Sequence, residues 1–171
     1  MKNLLCICLL LVLTSSSTAW QNDWDAPLNW ACPGGQAVYR VVSQYDNGKH
    51  DRQFEMQCSD FPGTFGSCYE TPFVNWWDAI MVASCYESGV IIGASSVHDD
   101  TKEDRRWTYH CCLGDDYYLY DCHYDNSVHD YHGWHDYSAP AGYWIHGVTS
   151  NHDDNQEDRL WQYKICKIGF Y

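Results

Sequence analysis

The pattern Asp-Arg-x-aromatic-x-apolar occurs three times and closes each time on a cysteine, from Asp51 to Cys58, Asp104 to Cys111 and Asp158 to Cys166. The copies begin 53 and then 54 residues apart. The likeness runs upstream, where Gly93 to Asp100 and Gly147 to Asp154 hold Ser, His, Asp and Asp in matching places. Ser43, Asp46 and Asn47 stand at the same offsets before the first, more divergent copy. Self-similarity at a fixed period marks a repeat architecture, in which no unit buries its apolar face alone.

Within each copy the residues alternate. Arg52, Phe54, Met56 and Cys58 share one side, and Gln53, Glu55 and Gln57 the other. Arg105, Trp107, Tyr109 and Cys111 repeat this, as do Arg159, Trp161, Tyr163 and Ile165. A period of two with aromatic and branched residues predicts a half-buried strand. Apolar segments precede each copy, at Ala37 to Val42, Val90 to Ile92 and Tyr143 to Ile145. Each repeat is therefore expected to hold two strands joined by an acidic loop. Only Asp78 to Tyr86 suggests a short helix. The expected fold is all-β, with three repeats of about 53 residues around a pseudo-threefold axis. A β-prism and a β-trefoil both fit, and the length of the repeat favours the prism.

Met1-Lys2-Asn3, the apolar run Leu4 to Leu13 and the exit Ser17-Thr18-Ala19 have the layout of a secretory signal peptide. The run is too short to span a bilayer, which takes roughly 20 apolar residues. Residues 1–19 are thus expected to be removed. Residues 20–171 then form one domain, with repeats near 30–58, 77–112 and 134–166. Eight cysteines remain: Cys32, Cys58, Cys68, Cys85, Cys111, Cys112, Cys122 and Cys166. In an exported chain an even count reads as four disulfides, although composition leaves about a hundred pairings open. A formal net charge of −13 argues against nucleic acid as a partner. It also disfavours sulfated glycans at long range. No segment beyond the leader is apolar enough for a membrane span.

The thrice-used Asp-Arg-x-Trp-x-Tyr pattern, the Cys111-Cys112 doublet after the second copy, and Trp76-Trp77 between Cys68 and Cys85 resemble the dermatopontin family. So does the acidic composition with fourteen tyrosines. The likeness covers roughly Trp30 to Cys166. It implies the pairing Cys32–Cys58, Cys68–Cys111, Cys85–Cys112 and Cys122–Cys166. Vertebrate members carry a further bridge, and both of its cysteines are missing here. They also carry Arg-Gly where this chain has His146-Gly147, so a contact through that Arg is not implied. The resemblance implies a non-enzymatic, secreted protein of the extracellular matrix or extracellular fluid, acting in adhesion. Expected partners are matrix proteins or proteoglycans, and cell-surface glycans. A lectin-like cell agglutinin and an acidic biomineral (shell) matrix protein are the alternatives.

Candidate residues follow. Asp51, Arg52, Phe54, Asp104, Arg105, Trp107, Asp158, Arg159 and Trp161 read as structural, because an Arg on an aromatic strand face can stack on a ring and pair a carboxylate. The loops His98-Asp99-Asp100 with Glu103, and His152-Asp153-Asp154 with Glu157, are candidate ligand loops. They concentrate carboxylates without EF-hand spacing, so calcium is the one metal weighed there. His129, His132 and His135 are read as an exposed loop rather than metal ligands. Tyr117, Tyr118 and Tyr120, beside Asp115, Asp116 and Asp121, suit tyrosine sulfation, a modification of the family. No catalytic residues and no cofactor are assigned. The cysteines are consumed by bridges, and neither Gly-x-Ser-x-Gly nor His-Glu-x-x-His occurs.

Overall fold

A computed structural model of the chain describes residues 20–125 and 129–171, so the expected leader lies outside the described residues. The described chain forms β1 (Leu28–Ala31), β2 (Gln36–Asp46), β3 (Asp51–Asp60), β4 (Phe65–Glu70), β5 (Met81–Ser84), β6 (Val90–Asp99), β7 (Asp104–Gly114), β8 (Tyr117–Asp125), β9 (His135–Ser138), β10 (Tyr143–Asp153) and β11 (Asp158–Phe170). No helix occurs among the described residues. The segment from Asp78 to Tyr86, which suggested a short helix, contains β5 instead. There Met81 and Ala83 point inward while Val82 and Ser84 point outward, so alternation prevails over local propensity.

Each expected strand pair is a hairpin, with β6–β7 and β10–β11 at the centres of their sheets and β2–β3 with β3 at the edge of its sheet. The sheet orders are β1-β6-β7-β4, β5-β10-β11-β8 and β3-β2-β9, with antiparallel pairing throughout. The arrangement is compatible with three repeats sharing one core. The hairpin ladders end at Asp46–Asp51, Asp99–Asp104 and Asp153–Asp158. Each loop closes on a residue at positive φ, namely His50 (48°), Glu103 (46°) and Glu157 (49°). The first acid of each loop forms the turn. Asp46 Oδ1 accepts the Gly48 N–H, Asp99 Oδ1 the Thr101 N–H and Asp153 Oδ1 the Asn155 N–H, at 2.8, 2.9 and 2.9 Å.

The short strands β1, β4, β5, β8 and β9 escaped the sequence reading, because four to nine residues of mixed burial carry little periodic signal. β4 follows β3 in the chain yet lies on the edge of the β6–β7 sheet, and β8 follows β7 yet lies on the β10–β11 sheet. The repeats are therefore laced together by their fourth strands. Gly93 and Gly147 mark where β1 and β5 press closest. A Cβ at either would collide with the carbonyl oxygen of Trp30 or Ala83.

The inner faces meet in one core. Phe54, Trp107 and Trp161, one from each hairpin, pack edge to face at centroid distances of 4.9, 5.7 and 5.1 Å. Met56, Tyr109 and Tyr163 form the next layer, with Val41, Ala94 and Val148 and then Val38, Ile91 and Ile145 from the facing strands. Aromatic burial on this scale, at roughly 25 cal/mol per Å², is the main apolar contribution to the fold.

The structure joins Cys32 to Cys58 and Cys122 to Cys166. It corrects the other two implied bridges, pairing Cys68 with Cys112 and Cys85 with Cys111. The reason is strand alternation. Consecutive residues of β7 point to opposite faces. Cys111 follows Trp107 and Tyr109 into the core, where Cys85 also lies. Cys112 stands directly opposite Cys68 across the β4–β7 ladder, with Cα atoms 4.0 Å apart. The two bridge types then recur, one with a sequence separation of 26 and one of 44.

His135 begins β9 and is buried, which corrects its reading as part of an exposed loop. It occupies the place held by Met81 in the preceding repeat. There Tyr109 Oη approaches the Met81 sulfur, and here Tyr163 Oη lies 3.0 Å from His135 Nε2. Burial, with His129 and Arg52 nearby, depresses the imidazole to about 3.

Two outcomes are expected. The double variant Cys68→Ala/Cys112→Ala folds with three intact bridges, whereas Cys68→Ala/Cys111→Ala strands two unlike cysteines and mispairs, as thiol counting and non-reducing peptide mapping would show. Between pH ~6.5 and ~3 the unfolded chain binds a proton at His135 that the folded chain refuses, so stability falls on acidification through that window. The loss at this one group is about 2 kcal/mol between pH 7 and 5. His135→Met should flatten the pH dependence of urea unfolding by that amount.

Candidate functional site

The three Asp-Arg dipeptides meet in a closed ring. Arg52 donates Nε and Nη2 to Asp158 at 2.6 and 2.8 Å. Arg105 does the same to Asp51 at 2.7 and 2.6 Å, and Arg159 to Asp104 at 2.6 and 2.7 Å. Every pair joins different repeats, and none of the six side chains is more than 4% exposed. A strand sends adjacent residues to opposite sides, so one dipeptide reaches two neighbours and three dipeptides close the circle. The remaining guanidinium nitrogens reach Ser43 Oγ and Gly133 O from Arg52, Ser96 Oγ and Ala26 O from Arg105, and Ala79 O from Arg159. Each Asp also accepts a loop N–H, from Asp25, Asp78 or His132. Those three residues sit at φ of 59°, 59° and 60°, a left-handed conformation that the buried carboxylate rewards.

Beside the ring lies an open depression lined by His50, Glu103 and Glu157 from the hairpin turns and by Phe54, Trp107 and Trp161. Burial holds the Glu103 carboxyl above the ordinary range. The expected ligand loops divide. Asp99 and Asp153 are engaged in their turns, and Thr101 holds Asp99 below the usual carboxylate range. Asp100 and Asp154 are exposed, each with an oxygen 3.2 Å from Nδ1 of His98 or His152. The two imidazoles are buried against the ring.

Asp25 and Asp78 were not singled out from the sequence, yet they join the histidines. Asp25, Asp51 and His98 hold one ligand atom each within 4.8 Å of one another, as do Asp78, Asp104 and His152. A signal existed, since Asn22-Asp23-Trp24-Asp25-Ala26 and Asn75-Trp76-Trp77-Asp78-Ala79 share Asn-x-Trp-Asp-Ala one period apart. Both asparagines bond the backbone of the second hairpin strand of their own repeat, β3 for Asn22 and β7 for Asn75. Asn22 bonds Arg52 O and the Phe54 N–H, and Asn75 bonds Arg105 O and the Trp107 N–H. In the third repeat His132 stacks on Tyr45 at 4.5 Å and His129 packs on His135 at 4.3 Å.

Tyr117 is fully buried among Ala37, Phe61, Val90 and Trp144, which corrects its candidacy for sulfation, because a sulfate has no place in an apolar core. Tyr118 and Tyr120 are exposed on the same strand. His146, at the place of the vertebrate Arg, is buried with Nδ1 2.7 Å from Gly89 O. One surface feature stands apart. The Arg106 guanidinium lies 4.1 and 4.4 Å from the rings of Phe73 and Trp76, and Trp76 is 66% exposed. No helix among the described residues is long and apolar enough to cross a membrane.

Removing one partner of a buried ion pair costs about 3–5 kcal/mol, because the other charge is left bare. Arg105→Met should lower the unfolding free energy by that amount. Adding Asp51→Leu should restore part of it, as the stranded carboxylate is then gone. A double variant no more stable than the single one would contradict the coupling, and chemical denaturation of both decides it.

The family model for dermatopontin matches residues 15–170. The chain is 35% identical to the hemagglutinin/amebocyte aggregation factor of Limulus polyphemus, over 89% of each chain. It is 36% identical to a dermatopontin of Biomphalaria glabrata, over 87% of this chain and all of that one. It is 30% identical to Millepora cytotoxin-1 of Millepora dichotoma, over 85% of this chain and 65% of that one. No solved structure matches the chain at a significant level. With the thrice-repeated Asp-Arg motif and the matching family model over nearly its whole length, the chain belongs to the dermatopontin family.

Proposed function

We propose that the chain is a non-enzymatic, secreted adhesion protein that binds extracellular matrix components or cell surfaces. The observation that carries this reading is the likeness to an aggregation factor and to a dermatopontin along almost the full chain. Four disulfides suit an oxidising, extracellular setting. The chemistry points the same way. All eight cysteines of the described domain are bridged, and the ring carboxylates are each held bidentately by an Arg.

The contact surface we favour is the aromatic shelf of Phe73, Trp76 and Arg106. Rigid, exposed rings beside a cation give contact area at low entropic cost, and such residues dominate binding energetics at protein surfaces. A second aromatic pair, exposed Trp134 with half-buried Trp20 at 5.8 Å, comes from other segments of the chain. Clumping of cells requires more than one contact point, and two aromatic surfaces on one chain supply them. The agglutinin reading is the second one, favoured by the Limulus relative. Sulfation of Tyr118 and Tyr120 would add acidity to the β8 face, and a biomineral role would rest on that acidity.

The experiment is an agglutination titration on erythrocytes and on matrix-coated beads. Trp76→Ala with Arg106→Ala should weaken binding roughly tenfold or more with an unchanged thermal midpoint. Clumping blocked by one sugar selects the agglutinin. Adhesion to collagen or proteoglycan with no clumping selects the matrix protein. Lysis of the cells, or full activity in the double variant, would overturn the proposal.

A further inference from the structure

His98 and His152 are the buried groups that the ring leaves unexplained. Each side chain is 1% exposed, and each Nε2 has no hydrogen-bond partner. A buried imidazole nitrogen without a partner loses its hydration for nothing in return. His98 Nε2 lies 3.9 Å from Asp51 Oδ1 and 4.0 Å from Glu103 Oε2. Asp25 Oδ1, which belongs to the same cluster, is also buried without a partner. These three carboxylates come from three separate segments, the loop before β1, the start of β3 and the turn after β6.

From this geometry we infer that the chain binds two divalent transition-metal ions of the zinc type, one at Asp25, Asp51 and His98 and one at Asp78, Asp104 and His152. The donor set is one imidazole with carboxylate oxygens, which suits zinc. It does not suit calcium, which takes about 6–8 oxygens and disfavours nitrogen. A tetrahedral zinc with bonds of about 2.0–2.1 Å spaces its ligands by roughly 3.4 Å. The His98 Nε2–Asp51 Oδ1 separation of 3.9 Å needs to contract by about half an ångström, and every ligand atom of each triad already lies within 4.8 Å of the others. Asp51 keeps both bonds to Arg105 and offers the remaining lone pair of Oδ1. Asp25 keeps Lys49 on Oδ2 at 2.8 Å and offers Oδ1.

The charges match a dication. Around the first site Asp25, Asp51, Asp100 and Glu103 face Lys49 and Arg105, leaving two negative charges uncompensated. The second site repeats this with Asp78, Asp104 and Asp154, Lys102 and Arg159, and Glu157 at the position of Glu103. Among the described residues the third repeat has no such site. Tyr45 replaces the histidine, His132 replaces the loop aspartate, and the two rings stack with Tyr45 Oη donating to Gln156 O. The stoichiometry is therefore two per chain. Each ion would tie a hairpin turn of one repeat to the loop and ring aspartates of another.

The test uses the oxidised full domain, stripped with EDTA and titrated with zinc chloride alone, with calcium chloride in parallel. Native mass spectrometry and calorimetry should show two zinc ions bound and a raised thermal midpoint, with no comparable response to calcium. His98→Gln and His152→Gln should each lose one ion, and the double variant both. Gln retains size and polarity, and an unchanged metal-free thermal midpoint verifies the fold. Zinc binding that survives in the double variant, a response to calcium alone, or no binding at micromolar zinc would overturn the inference.

Discussion

Three buried guanidinium–carboxylate pairs hold the repeats in register, and nearly every other feature of the molecule is arranged around them. Each pair joins two repeats, so the ring cannot form until all three hairpins are in place. Burying six charges is costly, and a buried ion pair is often no more stabilising than a packed apolar one. Its virtue is specificity. An apolar interface tolerates sliding of one sheet against another, whereas a bidentate Arg–Asp pair is satisfied at one register only. The left-handed loop residues Asp25, Asp78 and His132 then follow, because each donates its N–H to a ring carboxylate.

The departures from threefold regularity are as informative as the regularity. Cys32–Cys58 and Cys85–Cys111 occupy matching places, and the third repeat has Ala139 and Ile165 there, both in or against the core. His135 stands where Met81 stands, and a buried neutral imidazole does the packing of a thioether. Tyr45 with His132 fills by stacking what the other two repeats leave as a carboxylate–imidazole cluster. The third sheet has three strands among the described residues where the others have four. One scaffold thus carries two equivalent sites and one that differs from them.

Much of the site was legible from spacing. The Asp-Arg-x-aromatic pattern identified the ring residues and the core aromatics, and the acidic turns were placed where the hairpins reverse. Other parts were not. Asp99 and Asp153 look equivalent to Asp100 and Asp154 in composition, but the first acid of each turn is engaged by its own backbone. Asp25 and Asp78 lie far from the turns in sequence and are brought there only by the ring. Tyr117 and Tyr118 are neighbours in an acidic tract, yet alternation buries the first and exposes the second.

The period of the sequence and the alternation of its strands were enough to determine the all-β class, the hairpins and the inward faces, because these depend on near neighbours in the chain. The partner of each cysteine, the closing of the ion-pair ring and the meeting of Asp25 with His98 were decided by tertiary structure. The fourth strand of one repeat crosses to the sheet of the next, and each Arg grips the carboxylate of another repeat. Such contacts join residues some 50 or 100 positions apart, and the physical reason they escape a linear reading is that no unit of this chain completes its own sheet or its own charges.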